Sequence, residues 1–270
     1  MKLPLILGFF SIFSTLTPAQ NISGVVLDDF SKNPVEFVNV GVVGKNIGTV
    51  SDEIGTFDFA VDPHFDRDTL LISCIGYMPF AVPVSEFRKD PNKVVLLKRT
   101  IYSLKEVLIR PRFFTQKTMG FAFRSNKICA GFTDNKLGYE LGVLMKVRKS
   151  ALLKQVNIHI SFCNYDSITY RLNVYKVNGK MNFENILQKP IYINLTKAAI
   201  KNEIQVDLLS QNIVVNGDFL VTLEHVKDLG KGGLYFCAGL GKTYYKKTSQ
   251  GQWDSKPVGI SISAVADVEK

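Results

Sequence analysis

Three histidines, four cysteines and a few adjacent carboxylates are the residues of this 270-residue chain whose types could do chemistry, and spacing decides which chemistry is open to them. His64 is followed at the third position by Arg67, His159 by Phe162 and His225 by Asp228. Zinc needs at least three protein ligands converging from one wall, and His225 with Asp228 supplies two positions with no third placed by spacing. Val156, Ile158, Ile160 and Phe162 alternate with Gln155, Asn157, His159 and Ser161, so His159 is expected on an outward, solvated face. Gly239-Leu240-Gly241-Lys242-Thr243 looks like the end of a phosphate loop, but Phe236 stands where the earlier glycine is required, and a β-hairpin tip is expected there. Neither Asp28-Asp29 nor Asp52-Glu53 can act as a catalytic pair from one strand, because neighbouring side chains point to opposite faces. There is no GxSxG and no dinucleotide fingerprint. These residues therefore assign no catalytic, cofactor-binding or metal-binding role. A cryptic hydrolase is retained as a third alternative, to be recognised by His159, His225 and a carboxylate converging on one point.

A basic and aromatic cluster remains. Arg110 and Arg112 stand beside Phe113, Phe114 and Lys117, and Lys242, Tyr244, Tyr245, Lys246, Lys247 and Trp253 follow near the end of the chain. Aromatic faces stack on sugar rings, and lysines attract phosphate, carboxylate or sulfate. Arg110, Arg112, Lys242, Tyr244, Tyr245, Lys246, Lys247 and Trp253 are the candidate residues for a ligand or partner. Inter-module packing and a solvated surface are the competing uses for them.

The elements that must position these groups are strands. Val25–Leu27, Val35–Val43 and Phe57–Phe59 alternate, and Leu70–Ile75 is a continuous apolar run, the pattern of a strand buried on both faces. About seven short strands at this spacing predict a β-sandwich over residues 20–98. After a crossover at 99–119, strands recur near 140–147, 154–162, 168–177, 203–208, 217–225, 233–238 and 258–265. Residues 120–270 are therefore expected to form an antiparallel, jelly-roll-like sandwich of about eight strands. Only Lys197–Lys201 suggests a helical turn. The fold class is all-β.

Composition bounds the rest. With 46% hydrophobic and 21% charged residues the chain is globular, and it is too short for a transport barrel of roughly 22 strands with long loops. The net charge of +9 conceals a division, with a balance of −4 over residues 20–98 and +12 over 99–270. An acidic module is joined to a basic one, which suits mutual attraction or an anionic partner such as lipopolysaccharide, an acidic glycan or an acidic protein face. Met1-Lys2, the apolar run Leu3–Thr15 and Thr17-Pro18-Ala19 read as a signal peptide cleaved near Ala19, which predicts export. An apolar run of about 13 residues spans only about 20 Å as a helix, too short for a bilayer core. Cys74, inside an apolar run, is expected as a buried free thiol. Cys129, Cys163 and Cys237 allow at most one bridge, and spacing does not choose it.

Ser23-Gly24-Val25-Val26-Leu27-Asp28, Asn33-Pro34-Val35 with Val38-Asn39-Val40, Gly48-Thr49-Val50-Ser51-Asp52 with Gly55-Thr56-Phe57, and Asp68-Thr69-Leu70 leading to Ile75-Gly76-Tyr77 resemble the carboxypeptidase-like regulatory domain. Leu104-Lys105-Glu106-Val107-Leu108-Ile109 resembles the family's exit segment. The resemblance implies a transthyretin-like seven-stranded sandwich, found in bacterial envelope proteins and often ahead of the plug of SusC-type TonB-dependent receptors. It implies no catalysis, since carboxypeptidase zinc chemistry belongs to a separate domain. Within the motif, Gly55 is expected at positive φ, Asp52 is expected to accept backbone N–H groups of its own turn, and Tyr77 needs a partner for its hydroxyl. Less specifically, Gly138-Tyr139-Glu140-Leu141-Gly142, Tyr170–Tyr175, Val206-Asp207-Leu208 and Gly217-Asp218-Phe219 resemble regions that accompany this domain in other envelope proteins. The expectation is a non-enzymatic exported envelope module with no cofactor, in the periplasm or on the outer membrane. Its partner would be an envelope protein or anionic glycan, with no role for nucleic acid. A carbohydrate-binding module is the alternative.

Overall fold

The structure, a computed structural model, describes residues 20–100 and 114–270. Residues 1–19, read as a signal peptide, the segment Leu104–Ile109, and Arg110, Arg112 and Phe113 lie outside the described residues.

The first module comprises β1 (Gln20–Asp28), β2 (Asn39–Val42), β3 (Ile47–Val50), β4 (Thr56–Val61), β5 (Thr69–Ser73), β6 (Phe80–Pro83), α1 (Val84–Lys89) and β7 (Val94–Leu97). Two sheets, ordered β4-β1-β7 and β3-β2-β5-β6, face each other as a seven-stranded sandwich, with β1 and β7 parallel and the other pairs antiparallel. Alternation fills the core with Ile22 and Val26 from β1, Val40 and Val42 from β2, and Leu70 and Ile72 from β5. Leu71 and Ser73 are only half-buried, so β5 is a one-faced strand rather than one covered on both sides. The alternation from Val35 also stops short of a strand. Regular pairing starts at Asn39, after Phe37 takes a left-handed φ of 52°.

The motif residues do the structural work their types suggest. Gly55 has φ 76°, and a Cβ there would lie 2.4 Å from the Val26 carbonyl. Asp52 Oδ1 accepts the N–H groups of Ile54 and Thr56 at 3.0 and 2.7 Å. Tyr77 donates its hydroxyl to Asp28 Oδ2 at 3.0 Å, and Arg99 Nε donates to the same oxygen at 2.5 Å. The backbone N–H of Ser31, then Arg99, hold the Asp28 carboxyl far below the usual carboxylate range. This cluster ties the start, middle and end of the module together.

The second module comprises β8 (Phe114–Gly120), β9 (Cys129–Phe132), β10 (Glu140–Met145), β11 (Ser150–Cys163), β12 (Ser167–Gly179), β13 (Asn182–Asn185), β14 (Ile191–Thr196), β15 (Glu203–Asp207), β16 (Val214–Asn216), β17 (Phe219–His225), β18 (Leu234–Gly239), β19 (Thr243–Lys246), β20 (Trp253–Lys256), β21 (Gly259–Ile260) and β22 (Ile262–Glu269). One sheet runs β13-β12-β17-β10-β19-β20 with β14 also on β12. The other runs β21-β18-β11-β22-β8 with β15 and β16 on β11 and β9 on β18. Every pairing is antiparallel.

Fifteen strands stand where about eight were expected, and the length of β11 and β12 explains the difference. At 14 and 13 residues each strand outruns its partners, so β16, β15 and β18 take successive parts of β11, and β14 and β13 take successive parts of β12. β8 occupies the end of the segment read as a crossover and pairs with β22. Lys197–Ala199 is a 3-10 turn, as the sequence suggested. Gly239–Thr243 is not a hairpin tip: β18 and β19 belong to different sheets, and the segment carries the chain from one to the other. All four cysteines are free thiols, and Cys129 faces Cys237 across β9 and β18. Among the described residues no helix is long and apolar enough to cross a membrane.

Candidate functional site

Strand alternation places Ile168, Tyr170, Leu172 and Val174 of β12 in the sandwich core and turns Arg171, Asn173 and Tyr175 to the other face. That face is not solvated. Arg171, Asn173 and Tyr175 are buried, and so are Glu140, Thr222, Glu224 and Lys246 from the neighbouring strands. Register explains their meeting. Arg171 lies opposite Glu224, Glu224 opposite Glu140 and Glu140 opposite Lys246, so four charged side chains form one row across β12, β17, β10 and β19. The row continues to Tyr192 on β14 at one end and Trp253 on β20 at the other. Two glutamates side by side repel each other, and a cation at each end of the row compensates both.

Hydrogen bonds complete the set. Arg171 gives Nε and Nη2 to Glu224 Oε2 at 3.1 and 2.8 Å. Asn173 Nδ2 donates to Glu140 at 2.9 Å and to Glu224 at 2.8 Å, Tyr175 donates its hydroxyl to Glu140 Oε1 at 2.8 Å, and Thr222 donates to the same oxygen. Lys246 Nζ lies 2.8 Å from Glu140 Oε2. Burial opposes ionisation of Glu224, yet Arg171 and Lys246 overcome it and hold the carboxyl below its ordinary value. Burial, then Glu140, pushes the Tyr175 hydroxyl well above its ordinary value.

The same row holds the modules together. Arg171 Nη1 donates to the Phe37 carbonyl at 2.8 Å, Nη2 donates to Asn39 Oδ1, and Asn39 Nδ2 donates to Glu224 Oε1 at 2.9 Å. The left-handed backbone at Phe37 sits at this contact, where the site itself holds the uncommon conformation. Below it the β19–β20 turn seats on the first module. Thr248 Oγ1 donates to the Gly48 carbonyl at 2.6 Å, Gln250 Nε2 donates to Ser73 Oγ at 2.8 Å, and Lys227 pairs with Glu53 at 2.5 Å.

The polar face is strongly curled. Phe183 on β13 lies 5.6 Å from the Tyr244 ring and 5.2 Å from the Trp253 ring. In a flat sheet β13 and β19, four strand steps apart, would be separated by about 19 Å. The face is therefore a trough, closed at one end by Asn39 and the Ser73–Tyr77 turn of the first module. It encloses a cavity of about 360 Å³.

A second concavity opens on the opposite face of β19, between the two sheets of the sandwich. It has a volume of about 410 Å³, a floor including Tyr139, Leu141 and Tyr245, and Lys136, Lys247 and Lys256 at its rim together with Asp134. The hydrogen bond from Tyr245, and after it Lys256 and Lys247 close by, hold the Asp254 carboxyl below its ordinary value. Lys256 Nζ lies 5.9 Å from the centre of the Tyr245 ring, whose hydroxyl donates to Asp254 at 2.8 Å.

The residues singled out from the sequence are thus divided by alternation instead of forming one patch. Tyr245 and Lys247 face the cleft, whereas Lys246 and Trp253 line the trough and Tyr244 packs on Phe183 beside it. Lys242 is exposed beside the Tyr244 ring. Arg110 and Arg112 are outside the described residues. The row of Arg171, Glu224 and Glu140 was missed. Its signal was present in the polar members of the β10, β12 and β17 alternations, but only register joins them.

Both strand histidines are buried, contrary to the expectation of a solvated His159. Ser261, hydrogen-bonded to the Phe121 carbonyl, sits 3.1 Å from His159 Nδ1, and Glu203 lies 3.7 Å from its Nε2. The segment after β8 passes over this face, which is why alternation alone misplaced the residue. His225 is packed instead among Phe132, Tyr165 and Tyr170. The two imidazoles do not converge, and among the described residues no three His, Cys, Asp or Glu side chains are placed to hold a metal.

Burial lowers the pKa of both imidazoles. Each is neutral in the folded protein and protonates more readily when unfolded, so its stabilisation is full above about pH 6.5 and is lost as pH falls. His225→Phe is expected to remove up to about 1.4 kcal/mol per pH unit from the slope of stability between pH 7 and pH 5. Urea unfolding across that range checks it. An unchanged slope would mean that His225 is not held neutral.

These features define a two-module β protein built to bind or to hold, with its buried charge committed to joining its parts. Residues 22–109 match the CarboxypepD_reg-like domain. The match runs beyond Lys98, through the exit segment. No curated protein matches the chain. Among solved structures, the infectious bursal disease virus VP2 subviral particle is 9% identical over 92% of this chain and 64% of that one, with a TM-score of 0.17. The VP2 of the virus's Gx strain is 8% identical over 93% and 65%, also at 0.17. The chain spans less than two thirds of either, and scores this low carry no structural inference.

Proposed function

We propose that the chain is a non-enzymatic, exported module of the bacterial cell envelope. In this reading the CarboxypepD_reg-like domain is the docking base, and the basic sandwich takes an acidic envelope glycan in the cleft between its sheets. The observation that carries the reading is the group of Lys136, Lys247 and Lys256 over the Tyr139 and Tyr245 floor, which outnumbers the neighbouring Asp134 and Asp254. Lysines at a rim draw in carboxylates through water, and the phenol rings beneath offer faces to sugar carbons. Export predicts Gln20 as the first residue of protein recovered from the envelope fraction, read by N-terminal sequencing.

A polyuronate oligosaccharide tests the cleft. Binding is expected to weaken steeply between low and high salt, and Lys247→Gln with Lys256→Gln together to cost roughly 5- to 20-fold in affinity. Equal affinity in the double variant, or no dependence on salt, would remove the cleft as the site.

A second reading, a carbohydrate-binding module for a neutral glycan, is favoured by a different observation. Tyr175, Phe183 and Trp253 stand as one aromatic wall beside the trough between the modules.

A further inference from the structure

We infer that the trough between the modules is a binding site for the terminal ring of an uncharged saccharide, recognised by residues of both modules at once. This rests on the carbohydrate-binding reading and gives it a place and a ligand class.

Charge comes first. Arg171, Lys246 and Glu224 line the cavity, and Glu140, outside the lining, is the partner of Lys246, so each cation is already matched by a carboxylate and neither is left to hold an anion. A neutral ligand with many hydroxyls suits the cavity, since each hydroxyl both donates and accepts.

The walls fit the same chemistry. Asn39 and the Ser73–Tyr77 turn come from the first module, while Asn173, Asn185 and Gln250 come from the second. Asn173 and Asn39 are spent within the buried network, so the amide groups left to a ligand are the second N–H groups of Asn185 and Gln250 and the Gln250 side-chain carbonyl. Trp253 closes one side, with Tyr175 and Phe183 packed edge-on against it at 5.4 and 5.2 Å, and an indole face takes the C–H side of a sugar ring. At about 360 Å³ the space lies at the small end of ligand pockets, which run from roughly 300 to 1,000 Å³ and favour boundaries between domains.

The module lock does not account for this lining. Arg171, Glu224 and Asn39 make the lock, whereas Trp253 takes no part in it and Asn185 touches it only through Asn173, to whose Oδ1 it donates at 3.1 Å. Lys246 Nζ has one carboxylate partner and otherwise lies 4.9 Å from the Trp253 ring centre, at the cavity wall.

Trp253 is the only tryptophan in the chain, so its emission reports on this cavity alone. The experiment titrates the full chain with neutral hexoses, N-acetylglucosamine and the neutral members of a glycan array, with glucuronate and glycine as charged controls. Emission and calorimetry are followed together at low and high salt. The expected result is a saturable change in Trp253 emission with a neutral sugar, unaffected by salt. Trp253→Ala is expected to lower calorimetric affinity at least ten-fold, and Asn185→Ala, on an edge strand and one residue removed from the lock, several-fold, with melting temperatures near that of the parent protein. Calorimetric binding with no emission change and full affinity in both variants would overturn the inference and leave the carbohydrate reading standing. Binding of glucuronate or glycine alone would overturn the ligand class. No neutral glycan bound by either measure would overturn both.

Discussion

Replacing Arg171 with leucine is expected to destabilise the folded protein by about 3–5 kcal/mol, the cost of leaving a buried carboxylate without its partner. Arg171 is 2% exposed and Glu224 1%, so bulk solvent gives Glu224 little to take the place of the guanidinium. The substitution also strips donors from the Phe37 carbonyl and Asn39, so the loss extends to the module junction. Arg171→Lys restores the charge but not the fork that serves Glu224, Phe37 and Asn39 together, and is expected to recover only part of the stability. Replacing Arg171 and Glu224 together by leucines removes both charges and should cost less than the arginine substitution alone. Urea unfolding of the three variants checks the order. A loss below about 1 kcal/mol for Arg171→Leu would mean that the pair is hydrated and that the row of charges is not an interior feature.

The Arg171 result bears on what could be read in the chain. In the first module the turn residues were legible singly, because Gly55 and Asp52 act within one turn, whereas the need of Tyr77 for a partner was legible but not its partner Asp28. The helix α1 was not legible, since six residues carrying only Val84 and Phe87 to the core leave too little periodicity to detect. In the second module the long strands, and β15 and β18 among their shorter partners, were found from the sequence, while β9, β13, β14, β16, β19 and β20 were not. β16 has three residues and borrows its regularity from the strand beside it.

The candidate site was legible in its residue types and illegible in its geometry. Tyr244-Tyr245-Lys246-Lys247 invites a reading as one basic aromatic patch, yet period-two alternation sends its members to different concavities. Alternation also describes a polar face without saying what lies on it. Arg171, Asn173 and Tyr175 meet every sequence criterion for solvent exposure, and the sheet's curl and the first module bury them. The asymmetry of charge was a partial guide. The acidic and basic modules do meet through ion pairing at Lys227 and Glu53, but the strongest pairing, between Arg171 and Glu224, lies within the basic module and recruits the acidic one through neutral groups.

Gly41→Val is expected to separate the modules without unfolding either. Gly41 and Gly48 face each other across β2 and β3, and Ser249 of the β19–β20 turn lies against both. A Cβ on Gly41 would stand 2.5 Å from the Ser249 carbonyl and 3.0 Å from the Ile47 carbonyl. Both atoms are backbone, so no rotamer relieves the contact. The turn must lift, and lifting it releases Thr248 from Gly48, Gln250 from Ser73 and Gly44 from the Gln250 carbonyl together. Overpacking in a close contact costs about 1–3 kcal/mol, and a rigid backbone neighbour places this substitution at the upper end. Each module keeps a core of its own, so the expected calorimetric trace changes from one cooperative transition to two. Val43→Ala, on the same hairpin but 47% exposed, should leave one transition. Trp253 emission should shift to longer wavelength in Gly41→Val as water enters the trough, and saccharide binding there should fail, because half of its wall has moved away. A single unchanged transition in Gly41→Val would mean that the turn does not hold the modules and that the charge row, the Lys227–Glu53 pair and the apolar contact of Phe37 and Val50 with Val226 carry their union.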